Sequence, residues 1–185
     1  MSEERRATGG IGIADGADGV GVEWLDIVDG SNRVIGRAPR DVVHREGHRH
    51  RSVHMLLLDG RGRVFVQRRS LVKDTNPGLW DTSAAGHVDS GEGCPEAARR
   101  ELHEELGVSV GADELQPVGS LSPGPENGFE FIEVYRTVSD EPLTLQESEI
   151  AEGRWVAPGE LAAWMNASPE DFTDVFRAVW AMAAP

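Results

Sequence analysis

Between Gly86 and Gly107 a glycine-rich run leads into a helix-forming stretch with three clustered glutamates, and this segment restricts the fold more than any other. Pro95 to Leu106 reads as a helix, with Pro in its first turn and Gly107 just past its end. At 100° per residue, Glu105 lies about 40° to one side of Glu101 and Glu104 about 60° to the other. The three carboxylates share one sector. Leu102, Leu106 and Ala98 fall on the adjacent sector and should face a core, while Arg99, His103 and Glu96 point to water. Like charges so placed repel, and the cost grows with burial. Arg100, one turn before Glu104, neutralises one of them. The remaining excess suits a hard divalent cation with oxygen ligands, Mg²⁺ or Mn²⁺. Glutamate pairs on helices are more often solvated faces, so the surrounding residues have to decide.

Composition narrows the class. The chain has 185 residues, 39% hydrophobic and 27% charged, which fits one soluble globular domain. Met55-Leu56-Leu57-Leu58 is far too short to cross a bilayer, and no apolar signal segment follows Met1. A single cysteine, Cys94, excludes an internal disulfide and a Cys-based zinc set, and suits the cytoplasm. The net charge of −14, from 18 basic and 32 acidic side chains, argues against a nucleic-acid polymer as partner. A phosphorylated small molecule remains open if cations are gathered locally. Lys73 is the only lysine.

Residues 1–21 read as a mobile tail and 22–185 as the domain. Trp24 to Val28 and Arg33 to Gly36 flank an Asp-Gly-Ser-Asn turn. Pro39 to Arg45 reads as a short helix. Val53 to Leu58 and Val64 to Gln67, joined through Asp59-Gly60, form the clearest hairpin signal. Leu79 to Ala85 is extended, Phe129 to Val138 and Ile150 to Val156 are strands, and Pro158 to Trp164 and Ala167 to Met182 are helical. Ser120 to Gly128 reads as a loop of the kind that sets specificity. The order is a mixed α/β layering.

From Gly86 the spacing runs five residues to Glu92, seven to Arg100, then Glu101-Leu102-His103-Glu104-Glu105-Leu106-Gly107-Val108. Over these 23 residues the segment resembles the Nudix box at every defined position. The resemblance implies a mixed β-sheet between helices (α/β/α) with a loop–helix–loop catalytic segment. It implies a hydrolase that cleaves a diphosphate linkage, in a nucleoside di- or triphosphate or a related metabolite, by water attack on phosphorus. Glu101, Glu104 and Glu105 are then the ligand and base candidates. Gly86 lets the backbone bend tightly, and Glu92 holds Arg100 or a metal-bound water. A bound metal would neutralise phosphoryl oxygens and acidify the attacking water. Glu149 resembles the later acidic residue that completes the metal set in some members, with Glu147 and Glu152 as rivals.

The stretch from Trp24 to Val108 further resembles the isopentenyl-diphosphate isomerase branch of that superfamily. The resemblance rests on the His-rich entry, Gln67-Arg68-Arg69-Ser70, Lys73, Pro77-Gly78-Leu79-Trp80 and Ala85-Gly86-His87. It implies that Arg69 and Lys73 contact a diphosphate, with Gly86 and His87 beside the substrate. His50 and His87 resemble two metal-ligating histidines there, although a lone His near a sheet is more often structural. Alanine at position 85, where the isomerases carry their catalytic cysteine, and the complete helix carboxylate set both favour hydrolysis. Cys94 lies beyond Gly86 and cannot substitute. Trp80 reads as core. His44 to His54, with Arg45, Arg49 and Arg51, form a local cationic patch that would guide an anionic substrate. Isomerase-like activity and a non-catalytic diphosphate sensor are the alternatives, and family dimers make a homodimer an open expectation.

Overall fold

From Trp24 onward the described chain, residues 21–183 of a computed structural model, alternates strands and helices. Gly21 excepted, the expected tail lies outside the described residues, as do 184 and 185. In order come β1 (Trp24–Val28), β2 (Val34–Pro39), α1 (Arg40–Glu46), β3 (His50–Leu58) and β4 (Val64–Arg69). Next are β5 (Trp80–Asp81), β6 (Ala84–His87), α2 (Cys94–Leu106), β7 (Gln116–Leu121) and β8 (Glu130–Val138). The last elements are β9 (Ile150–Val156), α3 (Pro158–Ala167) and α4 (Asp174–Ala183).

β1 and β2 form a small antiparallel sheet, and the other seven strands form one mixed sheet in which β3 and β8 run parallel. Side-chain alternation along these strands sorts the core into two layers. Val53, Met55, Leu57 and Phe65 pack on Ala98, Leu102 and Leu106 of α2. Leu56, Val64, Val66, Ile132 and Val134 pack on Leu161 of α3 and on Phe176 and Val179 of α4. The expected α/β/α sandwich is what forms.

The hairpin reading needs correction. β3 and β4 share one register pair, Leu58 with Val64, and then part. The segment read as one strand from Leu79 to Ala85 is two strands broken at Thr82 and Ser83, and it wedges the pair open. β5 pairs with β4 and β6 with β3. Ser83 bridges the gap: its hydroxyl accepts from Leu57 N at 2.7 Å and donates to Phe65 O at 2.6 Å. This satisfies two buried backbone groups that the splayed strands would otherwise leave alone.

Two further readings change. Gln116–Leu121 is a strand, missed because Pro117 and Gly119 weaken the signal in a strand that lies at the sheet edge. The last helix begins at Asp174, not Ala167. Ser168, non-helical at φ −142° and ψ 66°, ends α3 before Pro169, and the Thr173 hydroxyl accepts Phe176 N at 3.1 Å as a cap.

Candidate functional site

The wedge delivers β6 to the middle of α2, against Arg100 and Glu101. Gly86 pairs with Val53, whose side chain lies in the α2 core layer, so position 86 faces that helix. A Cβ there would overlap the Glu101 carboxylate. Gly86 has no left-handed backbone, so the turn explanation is corrected. The glycine is needed because a carboxylate occupies the space of its missing side chain.

Arg100 organises the helix face. It grips Glu92 through Nε at 3.0 Å and Nη2 at 2.9 Å, a two-pronged pair that fixes the loop before α2. It also donates to His87 O at 3.0 Å, Glu101 Oε1 at 2.7 Å and Glu104 Oε2 at 3.3 Å. Glu92 thus takes up one of its two expected roles, holding Arg100. Burial pushes the Glu101 pKa up against the pull of Arg100. Glu104 is half exposed.

Glu105 points into the fold, where Gln67 Nε2 donates to it at 2.9 Å. Burial, then the charge of Glu101, raises its pKa to about 8. Glu149 is close enough to raise it further, and the Lys73 ammonium contacts Glu149. Ser70 N donates to Glu149 O at 2.8 Å, tying the loop after β4 to the segment before β9. Glu101, Glu105, Glu149 and Lys73 therefore gather around one end of α2, with Glu104 at its outer rim. Arg69 lies nearby but is mostly engaged: it donates to Asp81 at 3.1 Å, to Thr75 O at 3.1 Å and to Thr75 Oγ1 at 3.3 Å.

His87 pairs with Ser52 and so faces the opposite side of the sheet from Gly86. There it meets His44 and His50, with ring centroids 4.8 to 5.2 Å apart. His44 Nε2 and His87 Nε2 are 3.1 Å apart, and Glu130 Oε1 lies 3.6 Å from His50 Nε2 and 3.8 Å from His87 Nε2. The four ligand atoms fall within 4.8 Å of one another, and among the described residues no other group of three or more His, Cys, Asp or Glu does so. The helix carboxylates are more spread because Arg100 and Gln67 hold them apart.

The histidine set fits a divalent ion on its own geometry. His50 is fully buried, and its Nε2 has no hydrogen-bond partner. Its Nδ1 is held by His48 O at 2.9 Å and that of His87 by Glu23 at 2.9 Å, which leaves both Nε2 atoms directed inward. Burial pushes the His44 pKa down to about 4. Burial pulls His87 the same way, but the Glu130 and Glu23 carboxylates outweigh it and raise its pKa to about 9.

Sequence reasoning missed His44 and Glu130 as partners in this set. His44 stood only in the cationic patch expected to guide an anionic substrate. Glu130 enters through the parallel pairing of His50 with Glu130, which no local pattern reveals. Gln67 was noted only as part of a motif. Trp80 is buried as expected, with Arg154 stacked over it at 4.6 Å. Cys94 is half-buried, and burial raises its thiol pKa, which disfavours the reactive thiolate.

The NUDIX domain profile matches residues 48–176, and the chain belongs to the Nudix family as a hydrolase. An uncharacterized Nudix hydrolase of Yersinia pestis is 38% identical over 151 residues, covering 77% of each chain. YfcD of Escherichia coli K12 is 37% identical over 150 residues, 76% of this chain and 77% of its own. The crystal structure of DR0079 from Deinococcus radiodurans superposes with a TM-score of 0.77 at 31% identity, over 88% of this chain and 100% of that one. The NUDIX domain of Shewanella oneidensis NrtR, solved with ADP ribose, shares the fold at TM-score 0.56 and 16% identity, over 71% and 84%.

Proposed function

We propose that the chain is a Mg²⁺-dependent diphosphohydrolase in which water attacks a phosphorus of a nucleoside di- or triphosphate or a related small-molecule diphosphate. The observation that carries this reading is the seating of Glu101 against Gly86, with Glu104 and Glu105 on the same helix and Arg100 braced by Glu92. Family membership supplies the reaction class, and the ADP-ribose complex of a fold neighbour is in keeping with a diphosphate ligand.

Glu101, Glu104, Glu105 and Glu149 offer the hard oxygen donors that Mg²⁺ or Mn²⁺ takes. A divalent ion bound there neutralises phosphoryl oxygens and makes a water more acidic. Glu104, half exposed and held by one 3.3 Å contact, is the freest of these to accept the proton of the attacking water. Arg100 limits repulsion among the carboxylates and, with Glu92, holds the loop. Arg69 and Lys73 supply cationic contacts to the diphosphate, with Gly86 at its edge, whereas His87 faces the histidine cluster across the sheet. A homodimer and a cytoplasmic setting belong to the same reading, and light scattering tests the first.

Purified protein with Mg²⁺, given a panel of nucleotides, nucleotide sugars and prenyl diphosphates, should release phosphate or a monophosphate from at least one. No release across the panel would overturn the reading. Isomerisation is favoured by the histidine cluster alone, and Ala85 on that same face offers no group to protonate carbon. Deuterium entering isopentenyl diphosphate from D₂O would revive it.

A further inference from the structure

Asp81 lies at the broken joint between β5 and β6, 3% exposed, and both of its oxygens are committed. Oδ1 accepts from Thr82 N at 2.8 Å and from the Thr173 hydroxyl at 3.0 Å. Oδ2 accepts from Arg69 Nη1 at 3.1 Å. The carboxylate thus joins the end of β4 to the cap of α4. A buried carboxylate is costly unless its charge is matched, and Arg69 is the one cation bonded to it among the described residues.

Arg69 in turn reaches forward. Nε and Nη2 hold Thr75 O and Thr75 Oγ1, and Gly78 N and Leu79 O bond to the Arg69 backbone. The loop from Ser70 to Gly78, which carries Lys73, is therefore braced by this guanidinium at Thr75, while Arg68 Nε holds its far end through Gly78 O at 2.9 Å. Of the five guanidinium N–H groups, three are spent on Asp81 and Thr75, which leaves two free. Its side chain is 14% exposed, so the free pair has a path outward.

We propose that Asp81 is a positioning residue for diphosphate capture. It fixes the Arg69 fork and, through Thr75, the loop that presents Lys73. Without it the guanidinium keeps its charge but loses its fixed direction, and the loop loses its tie at Thr75. The inference rests on the reading that Arg69 and Lys73 grip the diphosphate. Its signature is weakened ligand binding with the carboxylate site on α2 left intact.

Methylenediphosphonate, a non-hydrolysable P–C–P analogue, serves as the probe, titrated by calorimetry into wild type, Asp81→Asn, Arg69→Gln and the double variant. Both single variants should bind about tenfold more weakly, and the double no more weakly than the worse single. Thr173→Val removes a different Asp81 partner and should bind as wild type does. If Arg69→Gln binds normally, the cradle reading fails and the inference falls with it. If Arg69→Gln is weak but Asp81→Asn is normal or strictly additive with it, the Asp81 assignment alone is overturned. Weakening by Thr173→Val to the level of Asp81→Asn would show general loosening and also overturn it. Should Asp81→Asn fail to fold, Arg69→Lys decides. A lysine cannot span Asp81 and Thr75 and should bind as weakly as Arg69→Gln, whereas wild-type binding would count against the proposal.

Discussion

On the α2 side of β6, Gly86 is bare and the Glu101 carboxylate fills the space; on the opposite side, His87 joins His44, His50 and Glu130. The two sides differ in donor chemistry as well as position. Carboxylate oxygens suit Mg²⁺, while imidazole nitrogens suit borderline transition ions. They also differ in how the fold charges them. Arg100 feeds three carboxylates on one side, whereas on the other two carboxylates, Glu130 and Glu23, meet the histidine rings. Burial would raise the Glu130 pKa, but the His50 and His87 rings hold it well below the usual range. A four-residue strand can serve two such sites because its pleat sends neighbours to opposite faces.

The sharpest way to break this division is Glu101→Gln, which should cut kcat/KM about a thousandfold in a phosphate-release assay. His44→Ala should leave hydrolysis within about tenfold while lowering the stoichiometry of bound Mn²⁺ or Co²⁺ in dialysed protein. If His44→Ala costs hydrolysis as much as Glu101→Gln does, the two sides act as one site and the contrast collapses.

Gly86→Ala comes next. Its methyl group competes with the Glu101 carboxylate, and kcat should fall about a hundredfold with little change in melting temperature. A fully active Gly86→Ala variant would show that Glu101 can work from elsewhere.

Stability should divide evenly where chemistry does not. Leu102→Ala under the α2 layer and Phe176→Ala under the α4 layer each empty a fully buried site and should each cost about 3 kcal/mol in urea unfolding. A much smaller loss on one side would mean that layer is loosely packed.

The smallest effect concerns Glu105. Its folded pKa of about 8 lies above the ordinary value of 4.5, so the folded state holds the proton more tightly than the unfolded chain. That contribution is complete below about pH 4.5 and is lost as pH rises through about 8. Metal-free wild type should therefore lose about 7 °C more in melting temperature than Glu105→Gln between pH 6 and pH 8.5. Equal slopes by scanning calorimetry would show that the fold does not raise the Glu105 pKa.

Much of this contrast was legible on one side only. The carboxylate helix is local: 3.6-residue periodicity, Pro95 and Gly107 suffice to set its ends and its acidic sector. Glu92 and Arg100 stand eight positions apart and meet across one loop–helix junction. The histidine side is non-local. His44 comes from α1, His50 from β3, His87 from β6 and Glu130 from β8, and no periodic pattern links four elements. The same distinction explains the hairpin. Asp59-Gly60 correctly marked a turn, but whether the strands stay paired depended on the Trp80–His87 wedge entering from elsewhere.

Read alone, the chain determined the α/β order, the ends of α2, the acidic sector of Glu101, Glu104 and Glu105, and the family those residues mark. Each depends on contacts within a turn or two of helix or along one strand. The tertiary structure decided why residue 86 is glycine, how Arg69 is braced by Asp81, and that His87 joins His44, His50 and Glu130 in one cluster. Those depend on which strand lies beside which, and strand pairing is chosen by burial of the whole sheet between two helical layers.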